Sequence, residues 1–244
     1  VLAKGETKIS NAAREPEIED LSNCLIKMGA KIEGHGTKTI LVQGVTNLKK
    51  AEHEIIADRI VAGTYIIAAL MLNSALEINN FNTIYLKSLI DILKKMGAKL
   101  KVSKNSIKVS KGSKLKSTSL STSPYPGFPT DLQAQLMSLM CISDGKSKIK
   151  ETIFENRFMH VPELNRLGAN ITVEKDTATI IGNQTFKGAQ VMASDLRASI
   201  SLVLAAMNAN GQTTLNRVYH LDRGYENIEK TLGSLGAKIK RQKN

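Results

Sequence analysis

The residues best suited to chemistry begin with a carboxylate that follows a proline-rich segment. Residues 124–129 contain three prolines and one glycine, and Thr130 and Asp131 follow directly. Because proline fixes its own φ angle, we expect an extended loop that delivers Asp131 to the start of a helix. Two roles are open to Asp131. It either caps the helix by accepting backbone N–H bonds, or it is presented to a cleft as a general base.

Three arginines lie at junctions between strands and helices. Arg157 follows a strand and precedes a helix, Arg197 comes two residues after Asp195, and Arg223 directly follows Asp222. A cation beside the positive end of a helix dipole is unfavourable unless an anion is shared there, so Arg157 favours a ligand site. For the other two, a salt bridge within Asp195/Arg197 or Asp222/Arg223 is the alternative explanation.

These arginines would meet if the parts of the chain that carry them are related by approximate threefold symmetry. A guanidinium stays charged and binds a carboxylate or a phosphate through two parallel hydrogen bonds. A cluster of Arg157, Arg197 and Arg223 would therefore suit a small substrate that carries both groups.

The chain does contain a repeat. A short phrase that ends an amphipathic helix occurs four times, and its glycines lie 68, 71 and 68 residues apart. The copies occupy residues 28–32, 96–100, 167–171 and 235–239. A period of roughly 70 residues exceeds that of most solenoids and indicates compact subdomains. Glycine after the last apolar residue predicts a left-handed helix cap in each copy.

Each unit predicts the same order of elements. Helices open at Asp58, Asp131 and Asp195, and a short strand, a second helix and a pair of strands follow. This alternation indicates mixed α/β packets with either the helices or the sheets inside. We place a boundary near Ala57, which divides the chain into residues 1–57, one incomplete unit, and residues 58–244, about three units.

The composition is that of a globular protein with a basic surplus. Of 244 residues, 42% are hydrophobic, and Lys and Arg exceed Asp and Glu by 34 to 22, a formal net charge of +12. The surplus suits a phosphorylated metabolite, nucleic acid or an acidic surface. Apolar runs are too short for a membrane span and no secretory leader is visible, so we expect a cytoplasmic protein. The sequence begins within a strand-like phrase, from which we expect a missing upstream part.

Neither the cysteines nor the histidines predict a metal site. Cys24 and Cys141 lie in apolar-periodic helical stretches, where we expect buried, reduced thiols. The four histidines are scattered without the spacing of metal ligands, so we expect no metal and no cofactor.

A lysine-rich segment carries much of the positive charge. Seven lysines between Lys99 and Lys116 alternate with apolar residues, which predicts two strands with one solvated face. Aromatic residues that stack on bases are absent from the segment, so we do not expect nucleic acid as a partner.

Four strings of residues together resemble one enzyme family. Residues 11–18, 128–135, 154–164 and 219–226 closely resemble the UDP-N-acetylglucosamine enolpyruvyltransferase family, and the resemblance extends over essentially the whole chain. It implies an α/β (α+β) fold of the enolpyruvyltransferase type, an inside-out α/β barrel of repeated βαβαββ-like units, with two domains and an active site between them. Residues 2–56 would be the last third of the first domain, and 58–244 most of the second.

The resemblance also implies that roughly the first four-tenths of a family member lies outside this sequence. That part would carry a flexible loop with a reactive cysteine, a lysine–asparagine pair for phosphoenolpyruvate, most uridine contacts and a strand that helps close the last unit. Neither Cys24 nor Cys141 matches the reactive cysteine. A chain of this kind is expected to be inactive, or nearly so, by itself.

The reaction that the resemblance implies is transfer of an enolpyruvyl group from phosphoenolpyruvate to the 3′-hydroxyl of UDP-N-acetylglucosamine, with release of phosphate. It would be the first committed step of peptidoglycan precursor synthesis, and so would serve cell-wall growth, shape and division. Asp131 matches a base or proton relay, and Arg223 is the second residue assigned to catalysis. The substrate-binding set is Glu15, Arg59, Asp131, Ile153, Arg157, Asp195, Arg197 and Arg223. Tyr125 stands where many relatives carry histidine and is assigned no role.

Two other functions remain open from the sequence. The related shikimate-phosphate transferases share the architecture, and a non-catalytic ligand- or RNA-binding module of similar build would use the positive charge differently. The partners expected from the favoured hypothesis are the two substrates, with no nucleic acid and no membrane. The oligomeric state is left open.

Overall fold

The chain folds into four successive groups of elements, each built on its own small sheet. The structure is a computed structural model that describes residues 1–242. The first group runs through residue 43 and consists of β1 (Glu6–Ser10), α1 (Pro16–Lys27), β2 (Lys31–Glu33) and β3 (Thr39–Gln43). A segment without regular structure then leads to the second group.

The other three groups contain the larger helices. The second consists of α2 (Arg59–Met71), β4 (Leu76–Asn79), α3 (Lys87–Lys95), β5 (Leu100–Val102) and β6 (Ser106–Val109). The third consists of β7 (Leu120–Ser121), α4 (Gln133–Ile142), β8 (Lys146–Lys150), α5 (Val161–Arg166), β9 (Asn170–Glu174) and β10 (Thr177–Ile181). The fourth consists of β11 (Gln190–Met192), α6 (Leu196–Asn208), β12 (Thr214–Asn216) and α7 (Ile228–Ser234). Short 3₁₀ turns occur at Thr83–Leu86, Thr130–Leu132 and Val218–Arg223.

The sheets share one pattern of strand order. Their orders are β1-β3-β2, β4-β6-β5, β7-β8-β10-β9 and β11-β12. In the first three sheets the last strand of the group pairs antiparallel with both of its neighbours. The parallel pairs β7/β8 and β11/β12 flank α4 and α6, as expected for βαβ crossovers. Within residues 1–242 no sheet closes on itself, so the fold shown is mixed α/β and the inside-out barrel stays a prediction.

The four repeated glycines end their helices in the same way. Gly29, Gly97, Gly168 and Gly236 have φ angles of 99°, 96°, 101° and 97°. The alanine after each glycine donates its backbone N–H to the carbonyl of a leucine five residues earlier, at 2.9 to 3.0 Å. This is the Schellman arrangement, in which the left-handed residue lets the chain reverse and satisfies the free helical carbonyls. The predicted caps are confirmed in all four copies.

Alanine substitutions at two of these glycines should differ in cost. A Cβ at Gly29 meets nothing within 4 Å, whereas a Cβ at Gly97 would lie 2.8 Å from the Lys114 backbone oxygen. Gly29→Ala should therefore lower the free energy of unfolding by about 1 kcal/mol through the left-handed backbone alone. Gly97→Ala adds a steric clash and should cost about 2 to 3 kcal/mol. Urea unfolding of both variants measures the difference, and equal losses would contradict it.

The core lies around three helices from the last three groups. Helices α2, α4 and α6 contact one another and are buried over most of their length. They are apolar on nearly every side, as a helix without a solvent face must be. A large apolar cluster joins them to the sheets of the second to fourth groups, while Ala30, Ile32 and Ile40 form a separate small cluster within the first. The division at residue 57 stays a prediction.

Other predictions have mixed outcomes. Strands β5 and β6 confirm the two-stranded lysine segment, in which Ile107 and Val109 are buried and Lys101 and Lys108 are exposed.

Cys141 is buried, but Cys24 is only partly buried because its side of α1 borders solvent. Burial raises the pKa of the Cys141 thiol to about 12. None of the helices described is both long and apolar enough to cross a membrane.

Candidate substrate cleft

An open cavity of about 590 Å³ lies between the first group of elements and the other three. It is lined from one side by Glu15 and Glu17 and from the other by Arg59, Asp131 and Arg197. Four of the residues assigned to substrate binding from the sequence, Glu15, Arg59, Asp131 and Arg197, therefore share this cleft, although each comes from a different group of elements.

Asp131 is held between two arginines. Arg157 Nη2 donates to Asp131 Oδ1 at 2.9 Å, and Arg197 Nη2 donates to Asp131 Oδ2 at 3.0 Å. The Asp131 carboxylate is 40% exposed and the two arginine side chains are 22% and 20% exposed, so the cluster borders the cleft without being sealed from it. Two positive charges facing one negative charge leave a net positive site that suits an added anion.

The helix-cap role considered for Asp131 is wrong. Asp131 lies inside the 3₁₀ turn Thr130–Leu132, and its side chain accepts no backbone N–H there. Pro129 occupies the capping position before that turn, and both carboxylate oxygens are taken by the arginines. The 3₁₀ turn places the carboxylate ahead of α4, where it is free to pair with distant groups.

The proline-rich segment is a closed turn, which corrects the expected extended loop. Gly127 donates its backbone N–H to the Pro124 carbonyl at 2.9 Å, and Ser123 donates to the Phe128 carbonyl at 3.0 Å. Thr122 and Phe128 form a parallel bridge at the base of this turn. The chain therefore leaves and returns at nearly one point, and Asp131 follows from the returning end.

The pKa of Arg197 reflects both its burial and its ion pair with Asp131. Burial of its guanidinium would lower its pKa, but the hydrogen bond that it donates to Asp131 and the negative charge of that carboxylate outweigh burial and raise the pKa of Arg197. The group is therefore always cationic. Asp195 does not pair with the Arg197 guanidinium. Its carboxylate instead accepts the backbone N–H groups of Arg197 and Ala198 at 2.8 and 2.9 Å and caps α6.

Arg59 joins the first group of elements to the rest. Its buried guanidinium donates to both carboxylate oxygens of Glu17 at 2.9 and 3.3 Å, and lies 5.6 Å from the centre of the Tyr125 ring. Such a cation–π contact contributes about 1 kcal/mol. Tyr125, to which the sequence assigned no role, thus packs on a cleft residue. Glu15 Oε2 is buried beside the cleft with no hydrogen-bond partner among residues 1–242.

Arg223 does not reach the cluster. It ends the 3₁₀ turn Val218–Arg223, is exposed, and forms no ion pair with any described residue. Its neighbour Asp222 pairs with Arg241 at 2.6 Å, so the salt bridge considered within Asp222/Arg223 is wrong. The expected convergence of three arginines is found for Arg157 and Arg197 only, because the turn that carries Arg223 exposes it. Ile153 is half-buried in the segment before Arg157.

Two buried groups beside the cluster were missed by sequence reasoning. Glu151, 4% exposed, accepts hydrogen bonds from Thr122 and Thr130, and His160, 2% exposed, follows Arg157 by three residues. Alternate residues of β8 point into the protein, and Glu151 follows the buried Ser147 and Ile149 in this alternation. A carboxylate in the inward register of a strand is the signal that would have identified it, since such a group needs buried donors.

His160 should make stability depend on pH. Burial lowers the pKa of His160 from 6.5 to about 4. The charge of Arg157 adds to this effect, while the charge of Asp195 and a hydrogen bond with the Arg157 backbone oppose it. Because the unfolded state then binds a proton more readily, stability is fully present above pH 6.5 and falls as pH drops toward 4, by roughly 3 kcal/mol. Urea unfolding from pH 7 to 4 should show a shallower decline for His160→Gln than for the natural chain. Parallel declines would contradict the prediction.

Comparisons with known proteins identify the family of the chain. The sequence profile of the EPSP synthase (3-phosphoshikimate 1-carboxyvinyltransferase) family matches residues 1–232. The chain therefore belongs to this family. It is 53% identical over 240 residues to a UDP-N-acetylglucosamine 1-carboxyvinyltransferase from Pelagibacter ubique, and 54% identical over 241 residues to one from Azorhizobium caulinodans. Each match covers 98% of this chain but only 58% and 56% of the relative, so the chain spans little more than half their length.

Solved structures give the same fold. The enolpyruvyl transferase NikO from Streptomyces tendae superposes with a TM-score of 0.88 at 28% identity, covering 98% of this chain and 57% of that one. An EPSP synthase from Acinetobacter baumannii superposes with a TM-score of 0.76 at 17% identity over 99% of this chain and 59% of its own, a likeness of fold alone.

Proposed function

We propose that this chain forms part of the active site of an enzyme that transfers enolpyruvyl from phosphoenolpyruvate to the 3′-hydroxyl of UDP-N-acetylglucosamine. The observation that carries the proposal is the Asp131 carboxylate held by Arg157 and Arg197 at the edge of the cleft. The names of the relatives at 53% and 54% identity support the choice of acceptor.

The cluster contains the groups that this reaction requires. The sugar hydroxyl attacks C2 of phosphoenolpyruvate and loses its proton while C3 gains one. The tetrahedral intermediate then loses a proton from C3 and expels phosphate, which restores the double bond of the enolpyruvyl group. Asp131 accepts the hydroxyl proton, directly or through a relay, once an anion has displaced it from Arg157 and Arg197. Arg157 and Arg197 hold the carboxylate and phosphate and stabilise the charge that develops on them.

The remaining assigned residues have supporting roles in this proposal. Arg223 joins the charge clamp when the cleft closes, and Ile153 contacts the sugar nucleotide. Asp195 keeps Arg197 in place by capping α6. Glu15 and Arg59 line opposite sides of the cleft. We further propose that the four groups are units of an inside-out barrel divided at residue 57, and that the enzyme acts in the cytoplasm in peptidoglycan synthesis.

The test uses this chain in two forms. One is the 244-residue chain itself; the other is a chimera in which it replaces the matched part of the Pelagibacter relative, which keeps that relative's own amino-terminal part. We expect phosphate release from phosphoenolpyruvate and UDP-N-acetylglucosamine by the chimera and little or none by the chain alone. Shikimate 3-phosphate should not serve as acceptor.

The outcomes separate the competing functions. A chimera that folds and binds neither substrate would contradict the proposal, as would phosphate release with shikimate 3-phosphate in place of the UDP-sugar. The unmodified relative, assayed in parallel, controls for the quality of the assay. Turnover by the chain alone at the rate of the relative would contradict the expectation that the amino-terminal part supplies essential groups.

A further inference from the structure

The turn that carries Asp131 has both of its ends tied to one buried carboxylate. Glu151 Oε1 accepts the hydroxyl of Thr122 at 2.9 Å, and Glu151 Oε2 accepts the hydroxyl of Thr130 at 3.0 Å. Thr122 opens the closed turn and Thr130 directly precedes Asp131. The position of Asp131 is therefore fixed from beneath by a group that it does not touch.

The same carboxylate also fixes the start of the segment that leads to Arg157. Glu151 Oε1 accepts the backbone N–H groups of Ile153 and Phe154 at 2.9 and 3.3 Å. The Phe154 ring in turn lies 5.4 Å from the Arg157 guanidinium. One side chain thus orients the two segments that meet in the Asp131–Arg157 ion pair.

Four hydrogen-bond donors converge on the Glu151 carboxylate, and an ionised carboxylate offers acceptors only. Glutamine could keep its oxygen toward Thr122 and the two backbone N–H groups, but its amide N–H₂ would then donate to the Thr130 hydroxyl and reverse that hydrogen bond. Alanine would leave all four donors without this acceptor in a buried or partly buried place. Two threonine hydroxyls that bind a single buried carboxylate are not needed to close a turn that already has its own backbone bonds.

We propose that Glu151 is a positioning residue for enolpyruvyl transfer. Glu151 fixes the position of Asp131 through Thr130, and it fixes the position of Arg157 through the backbone of residues 153–154. The inference rests on the proposed function of the cleft. It assigns to Glu151 no contact with substrate. A displacement of about 1 Å at reacting groups is enough to reduce turnover on the order of 100-fold.

The first test removes one hydroxyl. In the chimera, Thr130→Val should lower kcat at least tenfold. It should leave the KM for phosphoenolpyruvate within about twofold, because the hydrogen bonds from the Ile153 and Phe154 backbone to Glu151, which orient the Arg157 segment, remain intact. Thr130→Ser keeps the hydroxyl and should restore kcat. The matched control is Thr83→Val, a buried threonine remote from the cleft whose hydroxyl donates to the Ser103 carbonyl; it should leave kcat unchanged. Equal kcat for Thr130→Val and Thr83→Val would overturn the proposal.

The second test changes the carboxylate. Glu151→Ala should lower kcat and raise the KM for phosphoenolpyruvate together, since the hydrogen bonds to the Thr130 side and to the 153–154 backbone are all lost. Glu151→Gln should have a smaller effect, because three of the four hydrogen bonds can remain. Crystal structures of Glu151→Ala and Thr130→Val in the 244-residue chain supply a readout without catalysis. We expect longer Asp131–Arg157 and Asp131–Arg197 distances than the 2.9 and 3.0 Å of the natural chain. Unchanged distances in both variants would overturn the inference. A chimera that carries the unsubstituted chain and lacks transfer activity would contradict the proposed function. In that case the crystal structures alone test whether Glu151 positions Asp131 and Arg157.

Discussion

Replacing Asp131 with alanine is expected to lower kcat of the chimera about 1,000-fold and, at the same time, to strengthen the binding of inorganic phosphate by the 244-residue chain. The loss has the size expected for a general base, whose removal costs 10²- to 10⁴-fold. The gain follows from the ion pairs, because Asp131 now occupies one nitrogen of each of Arg157 and Arg197. An anion that enters the site must compete with it.

The gain in affinity should be modest. Partly exposed ion pairs contribute about 0.2 to 1 kcal/mol each, so release of two arginines predicts a phosphate affinity about two to thirty times higher. Isothermal titration with phosphate measures it. Asp131→Asn, which keeps the shape and one acceptor oxygen, should show a smaller gain and a comparable loss of kcat. Weaker phosphate binding by Asp131→Ala would show that the carboxylate supports the anion site instead of competing for it.

Replacing Arg157 or Arg197 with alanine is expected to lower kcat/KM of the chimera about 100- to 1,000-fold, the usual cost of removing one donor to a developing charge. Lysine at either position keeps the charge but loses the planar fork, so we expect a loss that is smaller than for alanine and still at least tenfold. Steady-state kinetics with varied phosphoenolpyruvate measures both changes.

Arg223 provides the matched comparison for these two arginines. Because it is exposed and outside the Asp131 cluster, Arg223→Ala should leave phosphate binding by the 244-residue chain within about twofold. The same substitution should still reduce turnover in the chimera, where closure brings its turn to the substrate. A loss of phosphate binding as large as that of Arg197→Ala would contradict the geometry described for the cluster.

Local structure followed closely from the sequence where one short-range interaction dominates. The left-handed glycines after α1, α3, α5 and α7 were predictable because only glycine adopts that φ at no steric cost. Asp58 and Asp195 were predictable as helix starts for a similar reason: an aspartate before an apolar helix accepts the free backbone N–H groups. The alternation of lysines with apolar residues was enough to predict β5 and β6.

The sequence was less informative where a local and a long-range interaction are open to one side chain. At Asp131 a helix cap and a general base were both chemically reasonable, and the ion pairs with Arg157 and Arg197, 26 and 66 residues away, ruled out the cap. Glu151 was unrecognised because its four donors come from three separated segments. The mixed α/β class was therefore determined by the sequence itself, as was the candidate set of arginines. Which arginines meet the carboxylate, and what holds that carboxylate in place, was decided only by the tertiary structure, because ion pairs and buried hydrogen bonds depend on distances that no local pattern encodes.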